Sequence, residues 1–441
     1  MIFDELRVRN LRCVRDSGQL PLRQINLVVG GNGSGKSSIL AGILLLKQTC
    51  ESADKRRDLV VSGPLVDLGS DWHAAELQLS VAFAQGALPA ENMLRCVDAE
   101  PSPACTYDAL EVAFRYEPKG NHLGLDRFRL TDRALRASVS GVNASGTWYV
   151  SGVPNTIASY VRPRFLGFVP SLAVGPIRPP DERAAVSVMD FCLRSMLRAR
   201  GVAEVFESVI YLPPHEIGIR RYIGGPIALR EALAEERERI AGWSGHVDGD
   251  RRALEASVAR LTPWLDRIGI ATNVRLESES RRSGIHMIVA DDRHGRRAMN
   301  IADLGRGIGR FASIVLTTLT APSRACMIIE HPETHLDDLL QDALADFFTE
   351  QLGSGRQFII ETHGARFVER MREKATDDKL AREIQILSLE RAEGWTKVSG
   401  SHTEGEVGRS RHAEAVSNKS RPPHARVGNV AHKTSLRRTH T

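Results

Sequence analysis

Residues 28–40, Val-Val-Gly-Gly-Asn-Gly-Ser-Gly-Lys-Ser-Ser-Ile-Leu, constrain this chain more than any other stretch. They end an apolar run, residues 24–30, that reads as a buried strand. They open a second apolar run, residues 35–50, whose apolar positions lie all round a helix, so that helix is expected to be packed on most sides. Between the two runs stands Gly30-x4-Gly35-Lys36-Ser37. Glycines at such a turn let the backbone curl until several N–H groups face one anion, and the following helix adds its positive end. Lys36 is expected to place a point charge on the outer phosphates of a nucleotide, and Ser37 to offer a hydroxyl to Mg2+. The bland alternative is a glycine turn that merely starts a helix.

A nucleotide-bound Mg2+ needs hard oxygen ligands, usually one carboxylate among them. The run "ACMIIE" (325–330) delivers Glu330 at the end of a buried strand, the edge where open α/β sheets bind ligands. Ser37 and Glu330 are therefore expected to approach one metal ion from two sides, the alternative being a helix-capping or surface acid. A second run, "QFIIETH" (357–363), ends on Glu361, Thr362 and His363. His363 at that strand end is positioned to sense a terminal phosphate. Around these runs the pattern alternates: helix 309–320, strand 325–330, helix 335–352, strand 357–361, helix 364–373, strand 384–390. Such alternation predicts a parallel sheet with crossover helices.

The remainder divides by pattern. Residues 2–9 read as a strand, and 62–70 ("SGPLVDLGS") as a loop. Residues 75–152 hold alternating segments that predict antiparallel strands, and 272–292 return to strands. Residues 180–268 read as helical, with Leu254, Val258, Leu261, Leu265 and Ile268 on one face and Pro263 breaking or restarting the helix. The expected domains are 1–100, the first part of the head with the phosphate loop; 101–300, inserted strands and helices; 301–400, the second part of the head; and 401–441, a disordered tail. The chain of 441 residues has a net charge of +5, and residues 401–441 hold eight Lys/Arg against three Asp/Glu, so the tail carries the excess. The six cysteines show no metal spacing, which predicts a reducing compartment. No apolar run is long enough for a membrane span and the first residues are charged, so a cytoplasmic location is expected.

The ordered set "LRVRNLRCVRD", "GGNGSGKSSIL", "SGPLVDLGS", "ADLGRGIGRF" (302–311), "IIEHPETHLDD" (328–338) and "IIETHGARF" (359–367) resembles the prokaryotic AAA-class, ABC-type P-loop ATPases of the OLD/RecF/SMC-like group, proteins of anti-phage defence and DNA repair. Almost three hundred residues separate Lys36 from Glu330, and a large insertion there is a feature of such heads. The resemblance implies an α/β fold: an ABC-type head with a mixed or parallel sheet and a large α+β insertion between phosphate loop and signature. It implies that Gly30, Gly31, Asn32, Gly33, Ser34, Gly35, Lys36, Ser37 and Ser38 hold ATP, with Ser37 and Glu330 on Mg2+. It also implies that Gly305, Gly307 and Gly309 close over the ATP of a second subunit, and that His363 is a switch histidine. The expected assembly is a homodimer with ATP at the interface, acting on a nuclease or other effector partner or on DNA, without a membrane.

Two departures bear on turnover. His331 stands where many of these ATPases carry the glutamate that polarises water, and Glu333 is the alternative base. Gly309 stands where the signature usually has serine; Arg306 or Arg310 could supply charge instead, or serve the surface. Tight ATP binding with slow or partner-dependent hydrolysis is expected. The rival expectation is a nucleotide-gated sensor or scaffold with negligible hydrolysis. A nuclease in its own right lacks a second His/Asp/Glu cluster and an acidic domain after residue 370.

Overall fold

A computed structural model describes residues 1–51, 76–88, 102–117, 122–214, 251–278, 286–292 and 297–401. The loop expected at 62–70 lies outside the described residues, as does the tail expected at 401–441 except for Ser401, which ends a strand instead. The chain opens with strands β1 (Phe3–Leu11), β2 (Val14–Asp16) and β3 (Leu20–Pro21), then β4 (Ile25–Gly30), and the helix Lys36–Glu51 follows. Strands β5 (Leu77–Phe83), β6 (Ala109–Glu117), β7 (His122–Asp132), β8 (Ala137–Ala144) and β9 (Thr147–Ser151) come next, then the hairpin β10 (Val161–Leu166) and β11 (Val169–Val174). After the long helix Glu182–Glu207 come β12 (Ile210–Leu212), β13 (Ala271–Ser278), β14 (His286–Asp292) and β15 (Ala298–Asn300). The last strands are β16 (Cys326–Glu330), β17 (Gln357–Thr362), β18 (Ile384–Ala392) and β19 (Trp395–Ser401).

The sheet that positions the site has the order β12-β16-β17-β4-β18-β19. Its first five strands run parallel, and β19 returns antiparallel to β18. Parallel strands covered on both faces read as continuous apolar runs rather than alternating ones, and β17 is buried at every residue. Successive side chains still go to opposite faces. Val28, Ile328, Ile359 and Leu387 enter one core, with the helix Lys36–Glu51 and the antiparallel sheet. Leu27, Ile329, Ile360 and Ile386 enter the other, with the helices Arg306–Thr320, Asp338–Glu350 and Ala365–Lys374.

The antiparallel sheet has the order β2-β1-β5-β6-β7-β8-β9, with β3 on β1. It fulfils the alternating pattern of residues 75–152. The helix Lys36–Glu51 lies close against it because Gly42 has no side chain: a Cβ there would sit 2.9 Å from Val8 Cγ2. Twelve of that helix's sixteen residues are buried, as a helix apolar all round must be.

The segment 180–268 differs from its helical expectation. It holds the helices Glu182–Glu207, Arg251–Ala259 and Thr262–Arg267, but also β12, which pairs parallel with β16. A three-residue edge strand carries too little periodicity to be separated from a neighbouring helix. Pro263 does restart a helix, standing in the first turn of Thr262–Arg267, where its missing N–H costs nothing.

Candidate functional site

The phosphate loop forms the turn from β4 into the helix Lys36–Glu51. Gly30, Gly33 and Gly35 have φ of 154°, 73° and 101°, backbone that L side chains rarely adopt. A Cβ on Gly30 would lie 2.3 Å from the Leu389 carbonyl oxygen, and one on Gly35 2.2 Å from Thr396 Oγ1. The β18–β19 hairpin therefore braces the loop, and Thr396 Oγ1 donates to the Ser34 carbonyl at 2.9 Å. Lys36 is buried, and its ammonium donates to the carbonyls of Gly30 and Gly31, both at 3.0 Å. Gly31, Asn32, Gly33 and Ser37 are exposed, while Ser34 and Ser38 are buried. The Ser34 hydroxyl has no partner in its buried position.

The strand order decides which acid meets this loop. β17 lies between β16 and β4, and Glu361 is in register with Glu330 on one side and Val28 on the other. The Ser37 hydroxyl donates to Glu361 Oε1 at 2.8 Å. Glu361 is 2% exposed, and its Oε2 is buried without a partner. The sequence directs attention to Glu330 as the carboxylate for Ser37, whereas the side chain in contact is that of Glu361.

Glu330 is partly buried, with the Tyr211 hydroxyl bonded to its carboxylate. Burial, and next the neighbouring charge of Glu361, push its pKa up to about 7. Burial likewise raises Glu361, against the opposing hydrogen bond from Ser37. Two carboxylates thus share one partly dry strand edge, an arrangement that favours a cation between them.

The loops after β16 and β17 meet beside this pair. Glu333 accepts from the Thr362 hydroxyl at 2.8 Å and from the His363 backbone N–H at 3.1 Å. Burial acts to raise the Glu333 pKa, but these bonds and one to His331 outweigh it and hold the carboxylate below its ordinary range. His331 Nδ1 lies 3.4 Å from Glu333 Oε1 and 2.9 Å from His363 Nδ1. Its Nε2 lies 3.6 Å from Glu361 Oε1. The hydrogen bond with Glu333 raises the His331 pKa, against burial. His331 has φ of 46°, a left-handed backbone fixed by its N–H donating to the Glu361 carbonyl at 2.8 Å.

The segment 305–310 starts the helix Arg306–Thr320, with Gly305 at its N-cap and φ of 108°. Gly305 and Arg306 are exposed. Gly309 is buried within the first turns, and its N–H donates to the Gly305 carbonyl. Arg310 does not serve the surface: it is 4% exposed. Its guanidinium donates to the carbonyls of Pro213, Glu330 and His331. It therefore positions the end of β16 from inside. A Cβ on Gly307 would meet the His335 carbonyl oxygen at 2.5 Å. We expect Gly307→Ala to cost about 1–3 kcal/mol of stability, because a backbone carbonyl must move. Urea unfolding of the two proteins measures this.

The fold and this loop define a P-loop ATPase. Residues 1–102 match the family of the AAA ATPase domain, and residues 229–369 match the family described as AAA domain, putative AbiEii toxin, Type IV TA system. Over those two stretches the chain is similar to P-loop ATPases of the AAA class. Among solved structures it is similar to the SMC head domain from Thermotoga maritima, at 15% identity and a TM-score of 0.43, over 91% of this chain and 100% of that one. It is also similar to an Smc head with an extended coiled coil from Pyrococcus furiosus, bound to the C-terminal domain of ScpA. That match has 14% identity and a TM-score of 0.42, over 94% of this chain and 100% of that one. No curated protein matches.

P-loop ATPases of this kind bind ATP, usually with Mg2+. The residues present fit that pair. The glycine turn excludes any Cβ where backbone must curl, and the orphaned Oε2 of Glu361 is a hard ligand beside the Ser37 hydroxyl. No helix among the described residues is long and apolar enough to cross a membrane.

Proposed function

We propose that this chain binds Mg2+-ATP between the phosphate loop and the ends of β16 and β17 and hydrolyses it slowly. We propose further that it works in the cytoplasm, where ATP-dependent pairing of two copies regulates a partner effector or a DNA transaction in defence or repair. The observation that carries the reading is the Ser37–Glu361 contact, with a second carboxylate, Glu330, one strand away. Lys36 neutralises the outer phosphates, and the turn from Gly30 to Ser38 surrounds them. Ser37, Glu361 and Glu330 hold Mg2+, which when bound offsets the charge of the phosphates and of the two acids together. His363, more than half exposed, lines a cleft with Gly30, Gly31 and Thr362, which supports a role at the terminal phosphate. The exposed glycine-led turn at Gly305 and Arg306 supports a role toward the second copy's ATP.

Slow turnover follows from His331. Its ring Nδ1 is engaged by Glu333 Oε1, at 3.4 Å, and by His363 Nδ1, at 2.9 Å, and is not free to take a proton from water. The same contacts support a second reading, a nucleotide-gated sensor or scaffold with negligible hydrolysis. Phosphate release and sedimentation of the full chain separate them, with Lys36→Ala as background. Wild type is expected to pair on adding Mg2+-ATP and to release phosphate above that background. His331→Glu is expected to raise release by about 10-fold or more. Pairing with release equal to Lys36→Ala would establish the sensor; neither pairing nor release would sink both readings.

A further inference from the structure

Three ligand-type atoms converge where the loops after β16 and β17 touch. His331 Nδ1 and His363 Nδ1 are 2.9 Å apart. Glu333 Oε1 lies 3.2 Å from His363 Nδ1 and 3.4 Å from His331 Nδ1. An ion with bonds of about 2.0–2.1 Å holds neighbouring ligand atoms about 2.9 Å apart at right angles and about 3.4 Å apart at the tetrahedral angle. All three separations fall in that interval. We propose that His331, Glu333 and His363 bind a divalent metal ion of the zinc and cobalt class, distinct from the oxygen-lined position at Ser37 and Glu361.

The surroundings are those of a built metal site. Ligating histidines commonly donate their other ring N–H to a carboxylate, and ligating carboxylates are themselves hydrogen-bonded. Glu333 Oε2 accepts from the Thr362 hydroxyl at 2.8 Å, while His331 Nε2 lies 3.6 Å from Glu361 Oε1, beyond direct hydrogen-bond distance. Glu333 is 7% exposed in its side chain, whereas His363 is 57% exposed, so one side of the triad is fixed and the other opens to solvent. The left-handed backbone of His331 is costly for a non-glycine residue and persists only where surrounding contacts over-determine it. Two imidazoles and one carboxylate select a borderline cation over Mg2+ or Ca2+, which prefer oxygen alone. Open positions on the solvent side are left for water or an anion. Glu361 Oε1 lies beside both His331 Nε2, at 3.6 Å, and the Ser37 hydroxyl, at 2.8 Å.

The site goes beyond the ATPase reading and does not depend on it. The test uses the full chain, stripped with chelator and titrated with Zn2+ in excess Mg2+. Bound metal is counted by elemental analysis, and Co2+ substitution is read by its visible absorption. Histidines elsewhere in the chain bind some Zn2+, so the readout is a difference. Wild type and Lys36→Ala should each hold one equivalent more than His363→Ala or His331→Gln, and the Co2+ band should vanish in both histidine variants. His363 is exposed, so its alanine variant is expected to stay folded, as circular dichroism will check. Equal Zn2+ and equal Co2+ spectra in wild type and the folded histidine variants would overturn the site. The ATP reading fails separately, by Lys36→Ala behaving like wild type toward nucleotide.

Discussion

Glu361→Gln is expected to lower ATP turnover by about 100- to 1,000-fold, the size of effect seen when one preorganised electrostatic group is removed, while making the nucleotide-free protein more stable. The opposed signs follow from where the side chain sits. Its Oε1 takes the Ser37 hydroxyl, its Oε2 is buried without a partner, and Glu330 ends the adjacent strand in register. Burial raises the pKa of both acids above the ordinary carboxyl value. A raised carboxyl pKa means a contribution to stability that is complete below the unfolded value and is lost as pH rises through the folded one. The gain from Glu361→Gln should therefore be absent in acid and grow toward neutral pH in chelator-treated protein. Thermal unfolding across that range, paired with phosphate release, checks both halves. A residue with a merely structural role would lose stability along with activity, so a falling melting temperature would sink the assignment of Glu361 to the cation.

Local pattern made much of this site readable. The strand-to-helix change around Gly30–Lys36 and the two apolar runs ending in acids are short-range signals, and the described elements meet them within a few residues. Strand order is not a short-range signal. "MIIE" and "FIIE" look alike, and nothing local says that β17 rather than β16 lies beside β4. The clue available was symmetry: two strands end on glutamate one βα unit apart, so either could face Ser37. Arg310 was illegible for a similar reason. A cation in an amphipathic helix usually faces water, and only tertiary contacts reveal that it reaches the carbonyls of Pro213, Glu330 and His331. The crossing of the 331–335 loop with the 363–364 loop depends on the same long-range order, so a histidine pair could not be inferred from spacing.

The largest expected loss of stability comes from a side chain remote from the chemistry. Gln357 begins β17 and is fully buried. Its Oε1 accepts from the backbone N–H groups of Ile2, at 3.2 Å, and Phe3, at 2.8 Å. Its Nε2 donates to the carbonyls of Phe3, at 2.7 Å, and Arg23, at 2.9 Å. One amide thus joins the start of β1, in the antiparallel sheet, to the segment entering β4, in the parallel one. Gln357→Leu keeps the approximate volume but removes the amide's bonds to four backbone groups, of which the Arg23 carbonyl keeps a further donor, Asn26 Nδ2 at 2.7 Å, and a buried unpaired group costs about 1–3 kcal/mol. Allowing for partial relaxation, the expected loss is about 4 kcal/mol, measured by urea unfolding. Gln357→Glu should not rescue it. The carboxylate can still accept from Ile2 and Phe3, but it meets the carbonyls of Phe3 and Arg23 with no proton to give, and it carries a buried charge. The nucleotide site should survive in the folded fraction of either variant. Gln357 and Glu361 stand at opposite ends of β17, about 13 Å apart at a strand rise of about 3.3 Å per residue. Nucleotide affinity equal to wild type at low temperature, with unfolding shifted to lower urea, is therefore the expected pairing. Unchanged stability in both variants would mean that the two sheets are held together by apolar packing alone.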